Sequence, residues 1–496
     1  MVAASRTTVL TLCGAGESYR QAPTVSALPD NVLLGIFDSC RNDHPDFYPV
    51  WDWHILVHVC RRWRQVVFAS PHSLNLKILC TCRTPVRTHL GIWPAFPIVI
   101  DYHDCHTECI TPDDEDNIVA ALESEHLDRI CFIELGVTGL QLRMFAAMMQ
   151  EPLPALNQLL ISLEDGDAPA LPDGFLGGSA PCLQKINLDG VPYPALPTLL
   201  LSASGLVELM LYTIPRAGYI SPEAMVASLA ALPKLERFCI AFQWATPLPD
   251  RLRPPPTIRT VLPVLSLFDF KGVNTYLEDL VSRIDCPQLI KISVVYLDPP
   301  VHFPVTQLID FIDRSVGQRS TIFRRAHVAV FNHHVALALH HHSYHPRSIS
   351  TTTTPEAIEW QFTHMVQVLT RISATLSNVV HLELRKGPQF GSMVNSEWQG
   401  LLQQFSAVQT LKLCSELANR MARTLQDITN ERVVGLFPSL ELICLQDQPD
   451  SSIEKIVALR KLSGHPVTVV NTETEFDKIF ESYMKQEIFP YQLRTL

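Results

Sequence analysis

Cys80, Cys82, Cys105 and Cys109, with His103 and His106 between, concentrate side chains able to hold a metal in one stretch. Structural zinc takes four such donors at about 2.0–2.3 Å, usually presented as paired C-x-x-C knuckles. Here the spacings are C-x-C and C-x-x-x-C, so the residues read as reduced thiols in and near strands, with a structural zinc as the alternative. His340, His341, His342 and His345 lie near a threonine run and read as solvated imidazoles. Asp113, Asp114, Glu115 and Asp116 suit a helix start, where acidic groups complement the dipole. The sequence has no G-x-S-x-G elbow, no G-x-x-x-x-G-K-[ST] phosphate loop and no H-E-x-x-H, and Gly14-Ala-Gly16 lacks the third glycine of a dinucleotide turn. No catalytic residue, cofactor or metal is assigned, and the expectation is a protein that is not an enzyme; a repeat-containing enzyme is the rival that a deep pocket with perturbed carboxylates or histidines would favour.

Composition sets the scale of what must position any site. With 496 residues, 47% hydrophobic and 18% charged, the chain can build a large core or two to three folded units. A formal net charge of -11 without a long lysine or arginine run argues against broad nucleic-acid binding, which needs concentrated positive surface to displace counterions. No run approaches the roughly 18–20 apolar residues of a membrane-spanning helix. The start of the chain, MVAASRTTVLTLCGAGES, faintly imitates a signal peptide, but threonines dilute its apolar patch. Thirteen cysteines scattered singly suit a reducing compartment, and cytoplasm or nucleus is the expectation.

The stretch from Ala27 to Ser70 carries the first structural signal. Val32, Leu33, Ile36 and Phe37 follow Leu28-Pro29-Asp30 and form one apolar stripe on a short helix, with Asp30 as N-cap. Leu56, Val59, Cys60, Trp63 and Val67 predict a second helix face, with Arg61, Arg62, Arg64 and Gln65 toward solvent. Two such helices cannot bury their apolar faces against each other alone, so a third helix or a partner must cover the remainder.

The opening Leu28, Pro29, Leu33, Ile36, Phe37, followed by V-C-R-R-W-R at Val59 to Arg64, resembles an F-box. The resemblance covers about a tenth of the chain. It implies a bundle of short helices that docks on a Skp-type adaptor, which tethers it to cullin and RING subunits of a ubiquitin ligase. Leu28, Pro29, Leu33, Ile36 and Phe37 would then sit at or beneath the adaptor contact, and Val59, Cys60 and Trp63 would hold the second helix in place. The spacer from Asp38 to Trp53 is longer than usual, a variation associated with fungal members of the family.

Beyond the junction, placed near residue 85 between two strands and a Pro- and Arg-bearing loop, a phrase recurs: an apolar residue, two variable, an apolar, one variable, an apolar. It appears at Ile130/Ile133/Leu135, Leu156/Leu159/Ile161, Leu183/Ile186/Leu188, Leu206/Leu209/Leu211, Leu235/Phe238/Ile240, Leu265/Phe268/Phe270 and Leu289/Ile292/Val294. It returns at Val379/Leu382/Leu384, Val408/Leu411/Leu413 and Leu440/Ile443/Leu445. Six copies have a proline two residues ahead: Pro154, Pro181, Pro233, Pro263, Pro287 and Pro438. A short strand followed by a helical return limb buries its apolar side only by stacking on the next unit. The pattern resembles a degenerate leucine-rich repeat that lacks the regular asparagine. A non-repetitive α/β domain whose strand starts share the phrase is the alternative.

The expected fold is therefore α/β: a short all-helical F-box followed by a leucine-rich-repeat-like αβ solenoid. Residues 1–26 read as a flexible lead, 27–84 as the helical domain and transition, 85–450 as the repeats and 451–496 as a cap. Return limbs are predicted over Glu115–Ser124, Ser221–Leu232, Asn274–Ile284 and Glu397–Phe405. The proline-rich Gln243–Thr257 reads as a loop, and 333–356 reads as an exposed insertion. The tail predicts a helix at Ile453–Leu462, a strand at Val467–Val470 and a helix around Phe476–Met484. Together these imply the substrate-recognition subunit of an SCF-type (Skp-cullin-F-box) ligase, recruiting an unidentified protein target without nucleic acid or membrane. An F-box/repeat scaffold acting outside a ligase is the alternative.

Overall fold

The computed structural model describes residues 28–42, 53–102, 110–165, 169–244, 258–297, 306–317, 323–330, 334–340, 347–352, 400–413, 417 and 437–445, and, with single omissions, 366–386 and 451–471. The expected lead, most of the proline-rich loop and the last tail helix lie outside these residues. The chain divides into two units, Met1–Leu79 with Thr88–Pro97, and Cys80–Arg87 with Ile98–Leu496.

The first unit is built on α1 (Asp30–Asn42), α2 (His54–Val59) and α3 (Arg61–Ala69). The Pro29 carbonyl accepts from the amides of Val32 and Leu33, each at 3.1 Å, and so starts α1. Asp30 lies inside the first turn rather than capping it, and its carboxylate takes Arg62 Nη2 at 2.7 Å and Nε at 3.1 Å. Arg62, expected to face solvent, also donates to the Leu28 carbonyl and so ties α3 to the start of α1.

The second predicted helix face is broken. Cys60 is extended (φ -159°, ψ 169°), ending α2 and capping α3 with its thiol accepting from Trp63 N at 3.5 Å. The break resets the helical phase, burying Val57, Val66 and Val67 while Val59 and Cys60 stand exposed instead of in the core. Trp63, half-buried, meets Phe37 edge-on at 4.9 Å. Trp53 is buried among Phe68, Trp93 and Phe96 at 5.3–6.1 Å and donates its Nε1–H to the Lys77 carbonyl. Between β1 (Ile78–Cys80) and β2 (Ile98–Asp101), where a loop was expected, the chain forms α4 (Val86–Ile92).

In the second unit β2 is followed by β3 (Ile130–Val137), β4 (Gln158–Leu163), β5 (Lys185–Asp189), β6 (Glu208–Ile214) and β7 (Arg237–Phe242). β8 (Thr260–Val261) and β10 (Ile284–Asp285) pair apart from the main sheet. The run continues with β9 (Leu267–Gly272) and β11 (Lys291–Tyr296), every neighbour parallel. Return limbs include α5 (Pro112–Ala121), α6 (Gly139–Met148), α7 (Leu196–Leu200), α8 (Pro222–Leu229), α9 (Asn274–Ser282) and α10 (Thr306–Gly317). Strand–helix–strand repetition of this kind makes an α/β layer with a parallel sheet.

All thirty residues of the ten recurring triplets are buried. The register explains why: Ile133, Leu159, Ile186, Leu209, Phe238, Phe268 and Ile292 are successive Cα partners across seven strands. The first residue of a triplet closes a turn, with Leu156 N donating to Leu153 O, Leu183 N to Ala180 O and Leu235 N to Leu232 O at 3.1–3.2 Å. Pro154, Pro181 and Pro233 occupy the second position of these turns, where a fixed φ near -65° is pre-set.

The segment read as an exposed insertion belongs to the sheet. β12 (Arg325–Val330), β13 (His334–His340) and β14 (Arg347–Thr352) stand between β11 and β15 (His381–Lys386). β14 pairs parallel with β11, β13 runs antiparallel between β14 and β12, and β12 pairs parallel with β15. Leu337 and Leu339 of β13 are buried. A further triplet leads into β12: Phe323, Ala326 and Val328 are buried, and Ala326 pairs with Leu382. β16 (Thr410–Leu413), β17 (Leu442–Leu445) and β18 (Thr468–Asn471) finish the sheet, all parallel, and the predicted tail helix is present as Ser451–Leu462.

Candidate functional site

Two surfaces, one in each unit, carry what these elements can offer a ligand. On α1 the four apolar residues divide by helical phase. Leu33 and Phe37 are fully buried in their own unit, whereas Val32 and Ile36, one turn apart, are each 42% exposed. Leu28 is half-buried and Pro29 exposed. On α2, Ile55 and Val59 are 57% and 56% exposed. Of the residues singled out for adaptor contact, Pro29 and Ile36 therefore reach the surface, while Leu33 and Phe37 form the support beneath.

In the second unit each triplet sends its apolar residues inward, and the residues between them face the other side of the sheet. Lys185, Glu208 and Arg237 are Cα partners there, with Lys185 Nζ at 3.4 Å and Arg237 Nη1 at 3.2 Å from the Glu208 carboxylate. A tighter group lies on β12, β15 and β16: Glu383 takes Arg385 Nε at 2.7 Å, His327 Nδ1 at 2.9 Å and Lys412 Nζ at 3.5 Å. Burial pushes the Glu383 carboxyl up, but the His327 and Arg385 contacts outweigh it and hold the group at about 2. No sequence spacing marks this group, because its members come from strands far apart in the chain.

Of the cysteines and histidines singled out for metal binding, Cys80, Cys82 and His340 are among the described residues. Cys80 is buried, its thiol raised to about 12 by burial, and it donates to the Asn117 carbonyl at 3.5 Å. Cys82 is exposed. His103, Cys105, His106 and Cys109 lie outside the described residues, as do His341, His342 and His345; His340 ends β13. Glu123, Glu125 and His126 bring donor atoms within 4.8 Å of one another, with both glutamates exposed. Among the described residues that line a cleft of about 220 Å³ beside α6, Leu142, Arg143, Ala146, Gln150, Leu171 and Pro172 among them, there is no carboxylate, histidine or thiol. Among the described residues no helix is long and apolar enough to cross a membrane.

No family model and no curated protein matches the chain. Among solved structures, the leucine-rich repeat-containing protein LegL7 from Legionella pneumophila aligns at 11% identity with a TM-score of 0.27, covering 65% of this chain and 95% of that one. A likeness of that depth carries no argument about function.

Proposed function

We propose that this chain is a target-selecting receptor of an SCF-type ubiquitin ligase. Its first unit docks on a Skp-type adaptor, and through it on cullin and RING subunits; the strand face of the second unit, as a leucine-rich-repeat-like interaction surface, selects the protein to be modified. One observation carries this reading: α1 keeps Leu33 and Phe37 for its own core and leaves Val32 and Ile36 uncovered. Burying an aliphatic side chain is worth about 1.5–3 kcal/mol, so an uncovered pair on one helix face is a favourable place for a partner to cover. A rigid sheet whose inward residues are uniform and whose outward residues vary supplies the selecting half.

No catalytic side chain is needed in this role. Holding a target near a ubiquitin-charged enzyme replaces a bimolecular encounter by a tethered one, at effective concentrations on the order of millimolar. The test is co-purification of the full chain with a Skp-type adaptor and cullin, compared with Val32→Glu/Ile36→Glu. The reading expects both proteins with the native chain and neither with the variant. Adaptor retained by the variant, or never bound by the native chain, overturns it; adaptor without cullin would place the chain in a scaffold outside the ligase.

A further inference from the structure

The charge on the outward strand positions is unevenly distributed. On β12, β15 and β16 these positions hold Arg325, His327, His381, Glu383, Arg385, Thr410 and Lys412, and the exposed Arg324 immediately precedes β12. That is four permanent cations, two imidazoles and one carboxylate, in a chain whose net charge is -11. Register places Arg325, His381 and Thr410 in one row across the three strands and His327, Glu383 and Lys412 in the next.

The inner row is ordered. Glu383 holds His327, Arg385 and Lys412 within 2.7–3.5 Å, and their side chains are between 7% and 17% exposed. Beside it, Arg324 and Arg325 are exposed and make no ion pair among the described residues. Their backbone is fixed, since the Arg324 carbonyl accepts from both Val380 N and His381 N at 2.9–3.0 Å. The guanidiniums stand close enough to His381 to add to the effect of burial in lowering its pKa. An exposed cationic pair on a fixed strand, next to a partly desolvated charged row, is an anion-selective surface.

We propose that this face binds an acidic segment of a partner protein, whose carboxylates seat on Arg324 and Arg325. Arginine forks match carboxylates with two parallel hydrogen bonds, a geometry that lysine does not offer. A nucleic acid suits the face less well: none of the eight residues is Phe, Tyr or Trp, so bases lack the broad stacking platforms of single-strand binders. The proposal rests on the reading of the strand face as the target-selecting surface and names the chemistry it selects.

The test is fluorescence anisotropy of the full chain with a labelled peptide of alternating Glu and Ser, beside a Lys/Ser peptide and an RNA oligonucleotide. Saturable binding of the acidic peptide that weakens as salt rises is expected. Arg324→Glu/Arg325→Glu should weaken it by about ten-fold or more without moving the melting temperature, and Arg324→Gln/Arg325→Gln should show a smaller loss. No saturable binding of the acidic peptide, equal binding of the basic one, indifference to the arginine changes, or tighter RNA binding through the same arginines would overturn the proposal. Adaptor binding involves only the first unit, so failure here with that binding intact counts against the acidic-segment assignment alone.

Discussion

His327 Nδ1 lies 2.9 Å from a carboxylate oxygen of Glu383, and the two are Cα partners in the parallel β12–β15 pair. Each is almost wholly buried, on the side of the sheet opposite the apolar triplets. A carboxylate in that position is tolerable only because cations surround it, and the cations depend on it in return.

That dependence gives a pH signature. The Glu383 carboxyl sits at about 2 in the folded chain against an ordinary 4.5, so its contribution is present above pH 4.5 and is lost as pH falls through about 2. Glu383→Gln should cost on the order of 3 kcal/mol at neutral pH, with the deficit shrinking steadily in urea melts run toward pH 2. A deficit independent of pH would contradict the assigned role.

Glu278 should behave in the opposite sense. Its carboxylate accepts from Gln307 N at 2.9 Å and Leu308 N at 3.0 Å, capping α10 from α9. Burial outweighs these bonds and raises the group to about 7. Its contribution is therefore full below pH 4.5 and is lost as pH rises through 7. Glu278→Gln should remove that slope, narrowing the gap to the native chain by roughly 2 kcal/mol between pH 5 and pH 8. Parallel stability profiles would contradict it.

Asn117 should be a costly residue to lose. Its Nδ2 donates to Tyr102 Oη at 2.8 Å, Thr84 O at 3.0 Å and Thr81 O at 3.2 Å, and its Oδ1 accepts from Val86 N at 2.6 Å. Asn117→Ala should cost roughly 2–4 kcal/mol and speed amide exchange at Val86. Exchange there at the native rate would show that the 81–86 segment is held by something else.

How far these features could be read from the chain follows from the range of the interactions behind them. The triplets were legible because each strand repeats apolar residues at the same inward positions, and six of the ten copies carry a turn-setting proline. The β12 triplet escaped because Ala326 breaks the apolar phrase, and β13 and β14 escaped because histidine, serine and threonine hid strands that pair on both sides. Val59 and Cys60 were misplaced because their spacing continues a helical face smoothly across Cys60, where the backbone extends and restarts it. The Arg62–Asp30 contact and the Glu383 group were illegible for a single reason: their members meet only once distant elements pack.

The two sides of α1 should respond differently to substitution. Phe37→Ala empties a fully buried site against Trp63 and should cost about 3–5 kcal/mol, read as a fall in melting temperature. Ile36→Glu, on the exposed side, should change stability by roughly 0.5 kcal/mol or less. Equal destabilisation by both would mean that Ile36 is part of the core.

The central claim is met most directly by titrating the purified full chain with a purified Skp-type adaptor in a calorimeter. The account predicts saturable one-to-one binding with a negative heat-capacity change from apolar burial. Val32→Glu/Ile36→Glu should weaken it by about a hundred-fold or more while the melting temperature holds. No heat of binding with the native chain, or an affinity unmoved by the substitutions, would contradict it.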